Sequence, residues 1–350
     1  MNRKTPFVIA TRGSALALAQ AHAILADART LFPGVGFEVR VFKTTGDKLQ
    51  TASLSGGDPA LPKGLFTKEL EVALESGEAD VAVHSLKDLP TELPGGLVLG
   101  GTAARADVRD VLVYRDEAHP AAAAPTDAEW SPGKRVRRGF GAGLKLSKLP
   151  KGAEVATSST RRAALLQSLR PDLVMTPIRG NVGTRLRKIA GDTTADATVL
   201  AAAGMVRLGL FIAPKSRLTL DPRLVAGHGH EAPPEGLLAT VLEPEELLPA
   251  VGQGAIGLEI RGDNADAREF CAALNHTNTL QAVTAERAFL RAVGGGCHSP
   301  IAAYARVVGH QLHLSAAMLR DGRWHRGEAR RVAREAEVLG EQLARDLGLL

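Results

Sequence analysis

Within VAVHSLKDLP, residues 81–90, an imidazole, a hydroxyl, an ammonium and a carboxylate crowd together at His84, Ser85, Lys87 and Asp88. His, Ser and Asp are the residue types of a hydrolase triad. The spacing argues against one, because neighbours along a strand point to opposite faces and His84 and Ser85 diverge. No G-x-S-x-G elbow, Walker loop or zinc spacing occurs elsewhere in the chain. Taken alone, Lys87 and Asp88 read most simply as a solvated ion pair on a turn. Their company works against that reading. Arg12, Lys87, Arg161, Arg162, Arg179, Arg185 and Arg207 all fall at expected strand ends or helix starts. Scattered surface cations have no such preference, and guanidinium groups pair bidentately with carboxylate or phosphate. The pattern predicts a polyanionic ligand bound between two lobes. A second candidate for chemistry is Cys297, in the glycine-rich loop GGGCHSP. A thiol of pKa about 8.5 becomes a useful nucleophile where neighbouring cations lower it.

The elements that would position these groups are legible from patterning. The apolar run at 81–83 reads as a buried strand that delivers residues 84–88 to its C-terminal end, where Pro90 stops it. Ligands of open α/β sheets sit outside such ends. FVIA, at 7–10, reads as another strand, followed by Thr11-Arg12-Gly13-Ser14 and a small-residue helix, ALALAQAHAILADARTLF. Ser14 is either a helix cap beside a surface Arg12 or part of an anion site at the helix N-terminus, and the sequence leaves both open. FEVRVF alternates as a strand, SLSGGDPALPKG reads as a loop, and LFTKELEVALES is an amphipathic helix. Further on, EVA leads into TSSTRR and a helix, AALLQSL. IATRGSALALAQ and VATSSTRRAALLQ echo each other. So do FTKELEVALESGEADVAVHSLKDL and VGTRLRKIAGDTTADATVLAAAGMVRL. Two lobes of one topology account for both echoes. In IRGNVGTR the glycines let the backbone approach a ligand between Arg179 and Arg185. LPAVGQGAIGLE, with Gln253 its only polar side chain before Glu259, would cross back to the first lobe, and the Gly-rich stretch near 103–109 would be the outward hinge. From about residue 277, a helix, three strands in a meander and a closing helix predict a small α+β domain.

Composition narrows the function classes. At 350 residues, with 45% apolar and 23% charged residues, the chain has two or three domains with real cores. No run of about 18 apolar residues occurs, so no membrane is expected as a partner. No cationic-then-apolar leader with a cleavage site is visible, and the two cysteines, Cys271 and Cys297, cannot build a disulfide framework. These readings predict a cytoplasmic protein. The net charge of +5 suits acidic small molecules as well as nucleic acid. The basic segment at 134–148 reads as a solvated loop or hairpin, and nucleic acid is not an expected partner because most Arg-rich segments lack stacking aromatics. His228, His230 and Glu231 form HGHE without a third ligand at helical spacing, so no metal is expected. Cys271 reads as buried in a helix.

Six blocks, IATRGSALALAQ, KGLFTKELEVALESGEADVAVHSLKDLP, ATSSTRRAALLQ, IRGNVGTRL, AVGQGAIGLE and GGGCHSP, follow one another in that order. Together they resemble the porphobilinogen deaminase (hydroxymethylbilane synthase) family over most of the chain. The resemblance implies an α/β fold with two similar lobes like those of periplasmic binding proteins. The first would comprise 1–104 with 254–273 and the second 108–249, with insertions near 116–150 and 211–245. A small α+β C-terminal domain with a three-stranded antiparallel sheet, 277–350, would carry the cofactor.

The resemblance also implies a dipyrromethane cofactor joined by a thioether to Cys297. Four porphobilinogen units would be condensed onto it with loss of ammonia, and hydrolysis would release hydroxymethylbilane for tetrapyrrole and haem biosynthesis. Each pyrrole carries acetate and propionate, which gives the arginine-rich strand ends a purpose. Asp88 matches the catalytic carboxylate, which would take pyrrole N–H hydrogen bonds and stabilise the positive charge of an azafulvene. Lys87, Ser85, Thr157, Ser159, Arg161, Arg162 and Arg185, with Asp88, match cofactor contacts. Arg12, Ser14, Gln20, Arg179, Arg207 and Gln253 match substrate-side groups, and Arg12 would also assist proton transfer or position the aminomethyl group. Phe66 and Lys63 match the margin of a mobile active-site loop, Phe66 counting with the substrate-side groups, and Lys87 and Arg12 count with Asp88 as catalytic. A monomer is expected. The segments at 116–150 and 211–245 are longer than in a typical bacterial member. Thr160 stands where an apolar residue is usual, and His298 and Ser299 follow the cysteine where other residues are common. The alternative is a non-catalytic two-lobed binding protein for a polycarboxylate, against which the cysteine loop and the missing leader both count.

Overall fold

Two five-stranded mixed sheets and a three-stranded antiparallel sheet form the framework of this computed structural model, which describes residues 1, 3–45, 66–119, 137–223, 231–295 and 299–350. In chain order the strands are β1 (Phe7–Arg12), β2 (Phe37–Phe42), β3 (Val81–Ser85), β4 (Leu97–Thr102), β5 (Asp110–Arg115), β6 (Glu154–Ala156), β7 (Val174–Thr176), β8 (Ala197–Ala201), β9 (Leu210–Ile212), β10 (Leu218–Leu220), β11 (Leu237–Leu242), β12 (Ile256–Arg261), β13 (Ile301–Val308), β14 (Gln311–Arg320) and β15 (Arg323–Val332). The helices are α1 (Ala15–Leu31), α2 (Lys68–Glu75), α3 (Thr160–Leu169), α4 (Val182–Arg187), α5 (Ala202–Arg207), α6 (Ala265–Leu274), α7 (Thr277–Ala292) and α8 (Ala336–Asp346). None is long and apolar enough to cross a membrane among the described residues.

Residues Met1–Asp107 and Pro249–Leu350 form one compact unit. Its larger sheet runs β2-β1-β3-β12-β4. β1 is parallel to β2 and β3, whereas β12 is antiparallel to β3 and β4. Both faces are covered, which is why β3 and β12 read as nearly continuous apolar runs. Alternate residues go to opposite faces. Ile9, Val81 and Val83 pack with Ile24 and Leu25 of α1 and Phe270 of α6, while Ala10 and Ala82 pack with Leu70 and Leu74 of α2. The same unit contains the meander β13-β14-β15. Phe289 of α7 and Leu339 and Leu343 of α8 cover one face of it, against Leu312 and Leu314. The two helices approach closely at Gly340, where a Cβ would run into the Ala285 carbonyl and the Phe289 backbone nitrogen.

Residues Val108–Leu248 form the second unit. Its sheet runs β7-β6-β8-β5-β11, with β6 parallel to β7 and β8, and β5 antiparallel to β8 and β11. Position by position this matches the first sheet in order and direction: β2, β1, β3, β12 and β4 correspond to β7, β6, β8, β5 and β11. The repeated topology expected from the paired echoes is present.

Local details differ from the expectation for local reasons. The helix expected at AALLQSL starts earlier, at Thr160, because Ser159 caps it through its side chain to the Arg162 amide. The helix expected at RLRKIA starts at Val182, under an Asn181 cap, and its end opens into a π turn over Lys188–Asp192. The 211–245 stretch, expected as an insertion with no elements assigned, contains β10 and β11 and most of β9. Those runs are short and separated by prolines, so no period stands out.

Candidate active site

β1 and β3 lie side by side and parallel, so Arg12 and Ser85 end neighbouring strands at the same edge. His84 and Ser85 diverge as strand geometry requires. Ser85 Oγ accepts a 2.9 Å hydrogen bond from Gln20 Nε2 of α1, on one face. His84 Nε2 lies 2.9 Å from Glu259 Oε2, and both side chains are buried. Ser14 caps α1, its hydroxyl accepting from the Ala17 amide at 3.3 Å. The Arg12 guanidinium sits over the Phe66 ring, 4.2 Å from its centroid, so two of the expected substrate-side residues meet. Gln20 and Ser85, expected on the substrate and cofactor sides respectively, also meet.

Past Ser85 the chain makes one 3₁₀ turn, Leu86–Asp88, closed by the Leu89 amide donating to the Leu86 carbonyl at 3.1 Å. Leu86 anchors it, buried with Leu89, Ala255 and Val283. Lys87 is half-buried and Asp88 exposed. The glycine-rich 250–257 segment backs the turn. Gly252 has φ +71°, and a Cβ there would lie 3.1–3.3 Å from Leu86 and the Lys87 amide. Gly254 has φ +86°, and a Cβ would lie 2.6 Å from the Ala106 carbonyl oxygen. Only glycine allows both the φ and the approach. Gln253, between them, is fully buried.

In the second unit the corresponding strand edge carries the remaining candidates. Thr157 follows β6 and is buried, and Ser159 caps α3. Arg161 and Arg162, in the first turn of α3, are also buried. Arg161 Nη2 and Arg162 Nη2 donate to Asp110 Oδ2 and Oδ1, each at 2.7 Å. Arg161 Nη1 also donates to the Leu248 carbonyl at 2.6 Å, and Arg162 Nη1 to the Val199 carbonyl at 2.9 Å. Burial alone would raise the Asp110 carboxyl. The attraction of Arg161, then Arg162, and their hydrogen bonds outweigh it and hold Asp110 well below the usual carboxylate range. Arg179 is exposed. Arg185 Nε donates to the Gly180 carbonyl at 2.9 Å across a turn where Gly180 has φ +110°. Arg207 closes α5, and burial lowers its guanidinium to about 10, still protonated at neutral pH. Glu231 of HGHE pairs with Arg187 at 2.8 Å. Cys297, Lys63, His228, His230, the 53–64 loop and the 134–136 start of the basic segment lie outside the described residues. Among the described residues, no three His, Cys, Asp or Glu side chains gather as a metal site.

Three groups behind the site escaped the sequence reading. Asp110 opens β5, in a stretch whose local pattern gives it no role. Glu286 and Arg287, adjacent on α7, were legible only as part of a helix with acid and base interspersed. Glu286 is fully buried and accepts from Arg105 Nη1 and Nη2 at 2.6 and 3.0 Å, from the Gly252 amide at 2.7 Å and from the Ala305 amide at 2.7 Å. Arg287 donates to the carbonyls of Leu89 and Pro90 at 3.0 and 2.6 Å. The available signal was positional: both fall on the helix face that carries Thr279 and Val283, one and two turns earlier. Cys271, by contrast, is buried in α6 as expected, and burial pushes its thiol up to about 12.

Comparison with known proteins shows the family. The family model described as porphobilinogen deaminase, dipyromethane cofactor binding domain, matches residues 7–269, and that of the porphobilinogen deaminase C-terminal domain matches 280–348. A porphobilinogen deaminase from Roseiflexus sp. (strain RS-1) is 39% identical, covering 98% of this chain and 96% of its own length. The one from Sorangium cellulosum (strain So ce56) is 40% identical, covering 98% of each. The one from Thermus thermophilus is 40% identical, covering 97% of this chain and 94% of its own.

Proposed function

The chain belongs to the porphobilinogen deaminase family, and from that premise we propose how its residues divide the work. It is an enzyme, a hydroxymethylbilane synthase of tetrapyrrole biosynthesis, with a dipyrromethane cofactor and porphobilinogen as substrate. The finer reading is stepwise: four porphobilinogen units are condensed in turn with loss of ammonia, and hydrolysis releases hydroxymethylbilane. A cytoplasmic monomer completes it, with residues 277–350 as the cofactor-carrying domain.

The donor chemistry fits a group bearing acetate and propionate. Hydroxyls at Ser85, Thr157 and Ser159, the Lys87 ammonium and the Arg185 guanidinium supply N–H and O–H donors at strand ends, turns and short helices. We assign them, with Arg161 and Arg162, to the cofactor carboxylates, and Cys297 to the thioether. Because Asp110 engages Nη2 of each of the paired arginines, it sets how their positive charge is presented. When bound, the dipyrromethane supplies the pyrrole carbon that is extended.

Asp88 has the central role. An exposed carboxylate on a turn rooted in a buried strand is held in place while open to a ligand. It would accept pyrrole N–H hydrogen bonds and stabilise positive charge as it develops on the ring, a preorganised interaction worth several kcal/mol. Arg12 and Phe66, already in contact, would take the incoming substrate with Ser14, Gln20, Gln253, Arg179 and Arg207. The juxtaposition of Ser85, Lys87 and Asp88 at one strand end is the observation that carries this reading. Its test is the intact mass of the purified protein and of Cys297→Ser, with turnover of Asp88→Asn. Wild type should carry a covalent dipyrrole that the serine variant lacks, and Asp88→Asn should keep the adduct while turnover collapses by at least about 100-fold. A wild type without added mass, or near-normal turnover in Asp88→Asn, would remove the respective assignment.

A further inference from the structure

We propose that Arg287 is the positioning residue of the catalytic turn: from α7 its guanidinium clamps the exit of Leu86–Asp88 and so holds the Asp88 carboxylate where it acts. The proposal rests on the reading of Asp88 given above. A single 3₁₀ turn has little stability of its own. This one has the one internal hydrogen bond from Leu89 to Leu86 and runs directly into Pro90, which has no N–H to anchor it. The exit is secured from outside. Arg287 Nη1 donates to the Leu89 carbonyl at 3.0 Å and Nη2 to the Pro90 carbonyl at 2.6 Å. Two donors of one rigid plane on two successive carbonyls fix the direction of the peptide as well as its distance, which a single contact cannot do. Arg287 is 8% exposed, so water is a poor substitute.

The clamp is itself mounted firmly. One turn earlier on α7, Val283 packs against Leu86, Leu89 and Ala255. Glu286, the preceding residue, ties α7 to the Gly252 amide behind the turn, to Arg105 and to β13. The turn therefore meets α7 through apolar contact at Leu86 and hydrogen bonds at Leu89 and Pro90. α7 ends at Ala292, five positions before Cys297. One helix thus frames the carboxylate proposed to act and leads into the loop proposed to hold the cofactor.

Because Asp88 is assigned to charge that develops during reaction, a displaced turn should lower kcat more than it raises KM. The test uses the full-length, cofactor-loaded enzyme carrying Arg287→Met, Arg287→Lys, Asp88→Asn and the combination of Arg287→Met with Asp88→Asn. Arg287→Met should lose about 10- to 100-fold in kcat with KM within about 3-fold and the cofactor mass retained. Arg287→Lys, whose ammonium lacks the planar fork, should fall between it and wild type. On top of Asp88→Asn the methionine change should cost less than about 2-fold, since both act through one carboxylate. Hydrogen exchange followed by mass spectrometry should show peptides spanning 84–92 exchanging faster in Arg287→Met, with the β13–β15 meander unchanged. Wild-type kcat in Arg287→Met, full multiplication of the two losses, or unchanged exchange at 84–92 would overturn the proposal. Should Arg287→Met not fold, the lysine variant decides by the same kcat and exchange criteria. If Asp88→Asn alone turns over normally, the reading of Asp88 fails, and exchange at 84–92 still reports the clamp separately.

Discussion

Replacing Asp110 by Asn would leave two buried guanidiniums without their counter-charge. The wild-type arrangement has a fully buried carboxylate with both oxygens engaged at 2.7 Å, and its partners' side chains are 5% and 7% exposed. Removing one partner from such a buried set costs about 3–5 kcal/mol, because the remaining charges cannot return to water. Asn does not rescue it: one amide oxygen can accept, but the NH₂ group faces the other arginine. At about 2–4 °C per kcal/mol for a unit of this size, the midpoint should fall by roughly 6–20 °C. The pH dependence gives a second handle. Asp110 is depressed in the folded state, so its contribution is fully present above the unfolded carboxylate value of about 3.9 and is lost as pH falls through the lower folded value. The stability gap between wild type and Asp110→Asn should hold from neutrality to about pH 5 and narrow on further acidification. Urea unfolding followed by circular dichroism at pH 7, 5 and 3 measures it. A gap below about 1 kcal/mol at pH 7, or one that does not narrow at pH 3, would refute the reasoning.

Two further outcomes follow from particular contacts. Gly252→Ala places a methyl group 3.1 Å from the Leu86 side chain and 3.2–3.3 Å from the backbone of the Leu86–Asp88 turn at φ +71°, so it should destabilise by about 1–3 kcal/mol, seen in the thermal midpoint of the variant. Cys271, with its thiol pushed up to about 12 by burial, should stay unlabelled by a thiol reagent at pH 8 in folded protein and react once denatured, as followed by mass of the 265–274 peptide.

The expectation of a cleft-forming strand end at 81–90 rested on short-range rules. Alternation along a strand separated His84 from Ser85 before any coordinates, and the structure sends them to Glu259 and Gln20, on different elements. Ser14 at a helix start, the buried Cys271, and the duplicated strand–turn–helix units were likewise legible, because caps and periodicity act within a few residues. Ordered motif blocks were enough to identify the family.

What tertiary structure alone decided is which charges meet. Arg161 and Arg162 looked available to a ligand, yet they share Asp110 from a strand about 50 residues away. Glu286 and Arg287 lie on a helix legible only as one with acid and base interspersed, yet Glu286 accepts from the Gly252 amide behind the turn of Asp88, and Arg287 holds the Leu89 and Pro90 carbonyls from nearly 200 residues along the chain. β12 entering antiparallel between β3 and β4 was equally hidden. The physical reason for the two charge clusters is the same. A local pattern states which face of an element is apolar, but a buried charge is tolerable only beside the partner that packing brings to it, and that partner is set by long-range geometry.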